Sequence, residues 1–269
     1  MSLNALRPPT APPLRRWLAA ITLALTAVIA VAPPARAQDD AAAILKSMSD
    51  YLASQKTISL AFDTDIEIIT PELQKIQFAS SGQMQLSRPD KLRASRTGGY
   101  ADIELVFDGK TATVFGKHLN AFAQLSAPGS VDQLVGILRS QFFVELPGAD
   151  LLSAHVYDDL ILDVLDAKHI GRGVVDGVEC EHLAFRNQDT DWQLWVEVGD
   201  KPIPRKYVIT SKGIGEAPQY TLRIKDWKTD VAADAFAFKP DPAAKKIALG
   251  ELGDIDEVPQ GTTKAGVSK

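Results

Sequence analysis

Apolar and polar residues alternate with period two over most of this chain. In ISLAFDTDIEII (58–69) one face reads Ile58, Leu60, Phe62, Thr64, Ile66, Ile68, and the other Ser59, Ala61, Asp63, Asp65, Glu67, Ile69. Successive side chains of a strand point to opposite faces, so this predicts a long strand with one dry and one wet face. After a turn at Pro71 and Glu72, IQFASSGQMQLS repeats the pattern, with Ile76, Phe78, Met84 and Leu86 on one side and Gln77, Gln83 and Gln85 on the other. Gly82, in mid-strand, predicts a bulge or bend. KLRASRT, ADIELVFDG, TATVFG and NAFAQL continue the strands, with Asp108 and Gly109 a hairpin signal. A second block, KHIGRGVVDG, VECEHLAFRN, DWQLWVEVG, IPRKYVITSK and QYTLRIKDWK, is punctuated by turn residues at 176–177, 189–190, 199–200 and 213.

The period changes to that of a helix in three places. Ile44, Leu45, Met48, Tyr51 and Leu52 make one stripe, with Asp39 and Asp40 expected to cap it. SVDQLVGILRSQFF places Val131, Leu134, Val135, Leu138 and Phe142 on one face and is broken by Pro147 and Gly148. ADLLSAHVYDDLILDVLDA predicts one or two shorter helices, with Asp159 and Asp163 sharing a face at i, i+4. The whole reads as a mainly β protein with roughly ten or eleven antiparallel strands. So large a sheet cannot cover its dry face with three modest helices in a flat stack. A curved sheet wrapped over the helices buries both partners, which predicts an unclosed half-barrel with a helical lid.

Composition adds the compartment. Arg15 and Arg16 precede an apolar run over 17–32, and the segment closes on Ala35, Arg36, Ala37. This is the layout of a secretory signal peptide, residues 1–37, cut after Ala37. It directs the chain to the periplasm. The arginine pair suggests the twin-arginine route, but its flanks match that motif poorly, which favours the general route. No later run is long enough to span a membrane. The leader holds four arginines and no acid, leaving 25 basic against 34 acidic side chains, a net charge of −9. That balance disfavours nucleic acid or an anionic membrane surface as a partner. About 230 residues suit one domain, read here as 38–242, with a polar tail over 243–269 expected to fray.

DGK (108–110), DWQLWVEVGDKPIPRKYVIT (191–210), AFAFKP (235–240) and VDGVECEHLAF resemble the predicted periplasmic proteins called domain of unknown function 2092. That family is similar in fold to the LolA/LolB-like lipoprotein carriers. The resemblance implies an unclosed half-barrel with a lid, and an apolar hollow that holds acyl chains. It also leaves open a second reading, an envelope sensor that binds a protein partner and no lipid. No residue role carries over from the carriers.

Candidate chemistry concentrates in VECEHLAF (178–185), which holds the single cysteine, Cys180, two places from His182. On a strand these two share a face at a spacing of ~6–7 Å, too far for a direct hydrogen bond. Two ligands do not make a zinc site, and His118, His155 and His169 stand singly in other elements. A structural strand is the favoured reading; a metal site or an enzyme using Cys180 and His182 ranks below it. No motif calls for a cofactor. Trp192 and Trp195 fall on opposite faces of one strand, one for the core and one for a rim or a contact. The candidate binding surface is apolar: Phe62, Ile66, Ile68, Phe78, Met84, Leu86, Leu105, Phe107 and Phe115 from the sheet, with Leu134, Leu138 and Phe142 from the helix above it. An ordinary packed core would show the same pattern. A lined cavity for a lipid or a lipidated protein would too.

Overall fold

The structure, a computed structural model, describes residues 35–142, 144, 146–232, 234–252, 258–259 and 262. The expected signal peptide thus lies outside the described residues up to position 34. The chain opens with helix α1, Ala35–Ser54. Because α1 already begins at Ala35, Asp39 and Asp40 sit inside its first two turns and do not cap it. Ala41, Leu45, Met48 and Leu52 form its buried stripe.

Six strands follow as a meander: β1 Thr57–Ile69, β2 Lys75–Ser87, β3 Lys91–Gly98, β4 Asp102–Phe107, β5 Thr111–Gly116 and β6 Ala121–Ser126. Helix α2, Val131–Phe142, comes next. Its start is a reciprocal cap, in which the Gln133 amide donates to Ser130 Oγ and the Ser130 amide donates to Gln133 Oε1. A 3₁₀ turn, Ala149–Leu152, and a short helix α3, Val156–Ile161, complete the lid. Asp163 lies beyond α3 in a left-handed conformation, φ 59°. It therefore shares no helix face with Asp159, and the expected i, i+4 carboxylate pair is not formed.

The second meander is β7 Asp166–Val175, β8 Val178–Arg186, β9 Thr190–Glu197, β10 Pro204–Ser211 and β11 Gln219–Lys228. A two-residue strand, β12 Lys245–Lys246, runs parallel to β6. All twelve strands form one sheet in the order β12-β6-β5-β4-β3-β2-β1-β11-β10-β9-β8-β7. The sheet is curved and unclosed, as expected. The meanders meet where β1 pairs with β11, Phe62 opposite Ile224 and Ile66 opposite Tyr220.

Turn chemistry sets the registers. Asp176 and Gly177 both take positive φ, as a two-residue hairpin turn demands. Asp108 accepts the amides of Lys110 and Thr111 at 2.9 and 2.7 Å. The β1–β2 register runs without a shift through Gly82, so the bulge or bend expected there is absent. The glycine serves a close approach instead: a Cβ at Gly82 would lie 2.3 Å from Cζ of Phe62.

The concave face carries the core. α1 packs on β7, β8 and α3, and Leu45, Leu52, Leu86, Phe107, Leu134, Leu183 and Leu194 are buried together. The end of the domain lies further on than 242. Lys245 and Ile247 donate backbone bonds to Asn120 and Phe122, and Leu252 is buried against Gly116. The remainder of the expected tail falls largely outside the described residues.

Candidate functional site

Strand registers define two ends of the concave face. Here the base is the end holding Ile58, Leu86 and Phe107, and the rim is the end holding Ile66 and Phe78. Ile58 opposes Leu86, Leu86 opposes Leu92, and Leu92 opposes Phe107. This base layer is fully buried under Leu134 and Leu138 of α2. Met84 lies one layer higher and is also buried.

Toward the rim the packing opens. Phe62, Ile66 and Phe78 are each only half-buried although they face inward by register, and so is Leu105, one layer above the base in line with Ala94 and Met84. Ile68 remains buried at 6% exposure. The Phe78 ring meets Tyr100 edge-on at 5.5 Å. The loop after α2 crosses this region, where a Cβ on Gly148 would approach Cδ2 of Leu222 to 3.0 Å. Phe142, the last residue of α2, is 37% exposed, as is Val144. The expected apolar surface thus divides into a packed part, Met84, Leu86, Phe107, Leu134 and Leu138, and a looser part, Phe62, Ile66, Phe78 and Leu105.

Phe115 does not belong to it. It opposes Glu104 and Phe122, and Glu104 faces away from its neighbour Leu105, so Phe115 points to the convex side. There Phe115 and Phe122 hold Phe238, with ring centroids at 6.0 and 5.1 Å. Arg93, ion-paired with Glu104, donates to the carbonyl of Ala235 and fixes the same segment. The sequence pattern is apolar on both faces here because the AFAFKP segment covers the outer one.

The lining expected from the sequence comes from the first meander and α2 alone. The second meander contributes as much: Ile224, Tyr207, Leu194, Trp192, Leu183 and Phe185 are all buried in the same cluster. Their signal was present as period-two spacing in each strand. Trp192 is the core tryptophan, stacked on Phe185 at 3.9 Å, with its indole N–H donated to Asn187. Midway along the concave face the polar pair Thr64 and Ser80 share a hydrogen bond of 2.8 Å, and Arg96 opposes Gly82 in the adjacent row. Alternation alone ranks such positions as interruptions, which is why Arg96 was missed.

Cys180 and His182 share the convex face. Cys180 is fully buried and donates its thiol to the Val178 carbonyl. Burial pushes the thiol pKa up, with Glu197 adding to the effect, the reverse of an activated nucleophile. His182 stacks on Trp195 at 4.1 Å and bonds Gln193 at 2.9 Å. Lys206 lies 4.7 Å from the same indole, beside a shallow recess of about 220 Å³ bordered by Val174, Asp176 and Arg223. Among the described residues no group of three His, Cys, Asp or Glu side chains is placed to hold a metal ion. No described helix is long and apolar enough to cross a membrane.

The described residues thus form one curved, unclosed sheet with helices over its apolar concave face. Residues 41–250 match the family described as "Predicted periplasmic protein (DUF2092)", and the chain belongs to that family. Solved structures similar to it include the Mycobacterium tuberculosis lipoprotein LppX, at 13% identity and a TM-score of 0.46, over 73% of this chain and 99% of that one. An uncharacterized conserved protein of Thermus thermophilus matches at 11% identity and 0.46, over 78% and 99%. A LolA superfamily protein of Nitrosomonas europaea matches at 12% and 0.35, over 74% and 97%. No curated protein matches the chain.

Proposed function

We propose that this protein is a periplasmic binder of a lipid or an acylated protein, for carriage or sensing, with the acyl chain laid on the rim half of the concave face. One observation carries the reading. The base of that face is packed shut by Leu86, Phe107 and Leu134, while Phe62, Ile66, Phe78 and Leu105 keep inward-facing apolar surface that the fold leaves half-covered. Each methylene of an acyl chain placed there gains ~0.8 kcal/mol, so a long chain binds without polar chemistry. Family membership supports the compartment, since its members are described as periplasmic.

The test is organic extraction of protein purified from its native periplasm without detergent, followed by mass spectrometry. A defined lipid or acylated peptide near one per chain is expected. Leu105→Asp should abolish its retention, because a carboxylate there faces the acyl chain. An empty extract, together with a stoichiometric protein partner, would replace this reading with that of a protein-binding sensor.

A further inference from the structure

The exposed apolar residues of this chain are unevenly distributed. In a meander, alternate turns fall at the same end of the sheet, so the turns β1–β2, β3–β4 and β5–β6 all lie at the rim. Each presents one large apolar side chain to solvent: Leu73 at 65% exposure, Tyr100 at 56% and Leu119 at 55%. Leu162 and Leu165 continue the series, because the Leu165 amide bonds Arg186 at the rim end of β8. The turns at the base, 88–90, 108–110, 176–177 and 198–203, expose no large apolar side chain themselves, and the exposed apolar residues away from the rim, Ile170 and Val174, stand on the edge strand β7.

Leu73 shows that this is not indifferent surface. It occupies a left-handed conformation, φ 65°, that favours glycine or asparagine, and it is solvent-exposed as well. Neither folding nor solubility selects leucine there. The β1–β2 hairpin also reaches past its neighbours. β11 stops pairing at Ile66, opposite Phe78, and Leu73 lies five residues from Phe78 along the β2 arm of the hairpin, about 15 Å at the rise of a strand.

We infer that the rim docks on a lipid bilayer, with Leu73, Tyr100 and Leu119 entering the headgroup layer. The tips stand on separate turns, spaced about 10 Å across the sheet by two strand spacings, with Leu73 standing further out than Tyr100, whose ring lies level with Phe78. Isolated points at that spacing suit a fluid surface, which closes around each one; a protein partner would need a preformed pocket for every tip. Tyr100 has the amphipathic ring favoured at a membrane interface. Lys75 and Lys117 flank two of the tips and can extend along them toward phosphate, although each is ion-paired in the free protein, to Glu67 and Asp102. Between Tyr100 and Leu119 a recess of about 240 Å³ opens at the same edge, floored by Ala101 and Gly116. The Phe78–Tyr100 contact joins this edge to the half-covered concave face, so docking would face the mouth of the proposed hollow toward the membrane.

The experiment is sedimentation of the purified protein with zwitterionic phosphatidylcholine vesicles, on which a net-acidic chain meets no charge repulsion. Wild type is expected to partition onto them with little dependence on salt, because insertion is apolar. A Leu73→Gly/Tyr100→Ser/Leu119→Ser variant should lose at least tenfold in partitioning. The single Leu73→Gly change should weaken partitioning while keeping or raising the Tm, since glycine relieves the left-handed backbone. Lys201→Asp at the base should bind as wild type. Leu105→Asp separates docking from cargo: it should lose lipid in the extract yet keep its hold on vesicles. The inference is overturned if wild type does not partition, if the triple variant partitions as wild type does, or if folded Leu105→Asp loses vesicle binding as completely as the triple variant.

Discussion

The ring of Phe62 lies across the backbone of Gly82 on the neighbouring strand, so close that a Cβ at Gly82 would sit 2.3 Å from Cζ. The same Cβ would stand 2.1 Å from the carbonyl oxygen of Ser95 on the strand beyond. Gly82→Ala should therefore cost about 2–3 kcal/mol through overpacking, read as a shift in denaturant midpoint at constant slope. The Gly82→Ala/Phe62→Ala double variant should recover only part of that cost, because the Ser95 carbonyl still blocks the site. Full recovery would mean that the ring alone demands the glycine.

The convex aromatic cluster separates stability from binding. Phe238→Ala removes the ring held by Phe115 and Phe122 and should cost about 1–2 kcal/mol, less than a fully buried phenylalanine. Lipid recovered per folded chain should be unchanged. A selective loss of lipid in this variant would place the binding surface on the convex side.

Asp108 links the β4–β5 turn to pH. The amides of Thr111 and Lys110 hold its carboxyl below the ordinary carboxylate range. A depressed folded value means stability that is present above about pH 4, the unfolded value, and is lost as pH falls through the folded one. Asp108→Ala should be destabilised by about 1 kcal/mol at neutral pH, a modest figure for a solvent-screened group. The gap to wild type should narrow on acidification to about pH 3. A gap independent of pH would assign the effect to the alanine backbone.

Cys180 should behave as a core residue. In the native protein its alkylation should be at least about a hundredfold slower than that of a free cysteine, becoming fast only on unfolding. His182→Ala should lose the Trp195 stack, about 0.5–1.5 kcal/mol. Retained ligand should be untouched in the Cys180→Ala/His182→Ala double variant. Rapid native alkylation, or loss of ligand with the fold intact, would return this pair to candidacy as chemistry.

The sheet was legible because alternation is local. Ile58 to Ile68 announce both the strand and its dry face, and the Asp-Gly turns announce the hairpins. What could not be read was what comes to lie against each face from far along the chain. Phe115 reads as core in TATVFG, and it is core, but toward Phe238 and not toward α2. Gly82 reads as a bulge until the ring of Phe62 is seen to require it. Asp163 reads as helical until its left-handed backbone ends α3. Within the candidate site, the inward direction of most of the apolar positions was legible, and that of Phe115 was not. The division between packed base and open rim depends on where α2 and its following loop cross, and no periodicity encodes that.

The junction of the two meanders has a consequence for the order of assembly. Each half is a series of neighbouring hairpins, closed by short loops at small entropic cost. The seam between them joins residues as distant as Asp63 and Lys225, 162 positions apart. During synthesis from the N-terminus, β1 finds β2 at once, while its other edge waits for nearly the entire remaining chain. Until the second half arrives, only α1 and α2 are available to cover the apolar side of the first, and its rim stands bare. The surface proposed to receive an acyl chain in the finished protein is thus also the last to be sheltered in the nascent one, and it is where a chaperone would have most to do.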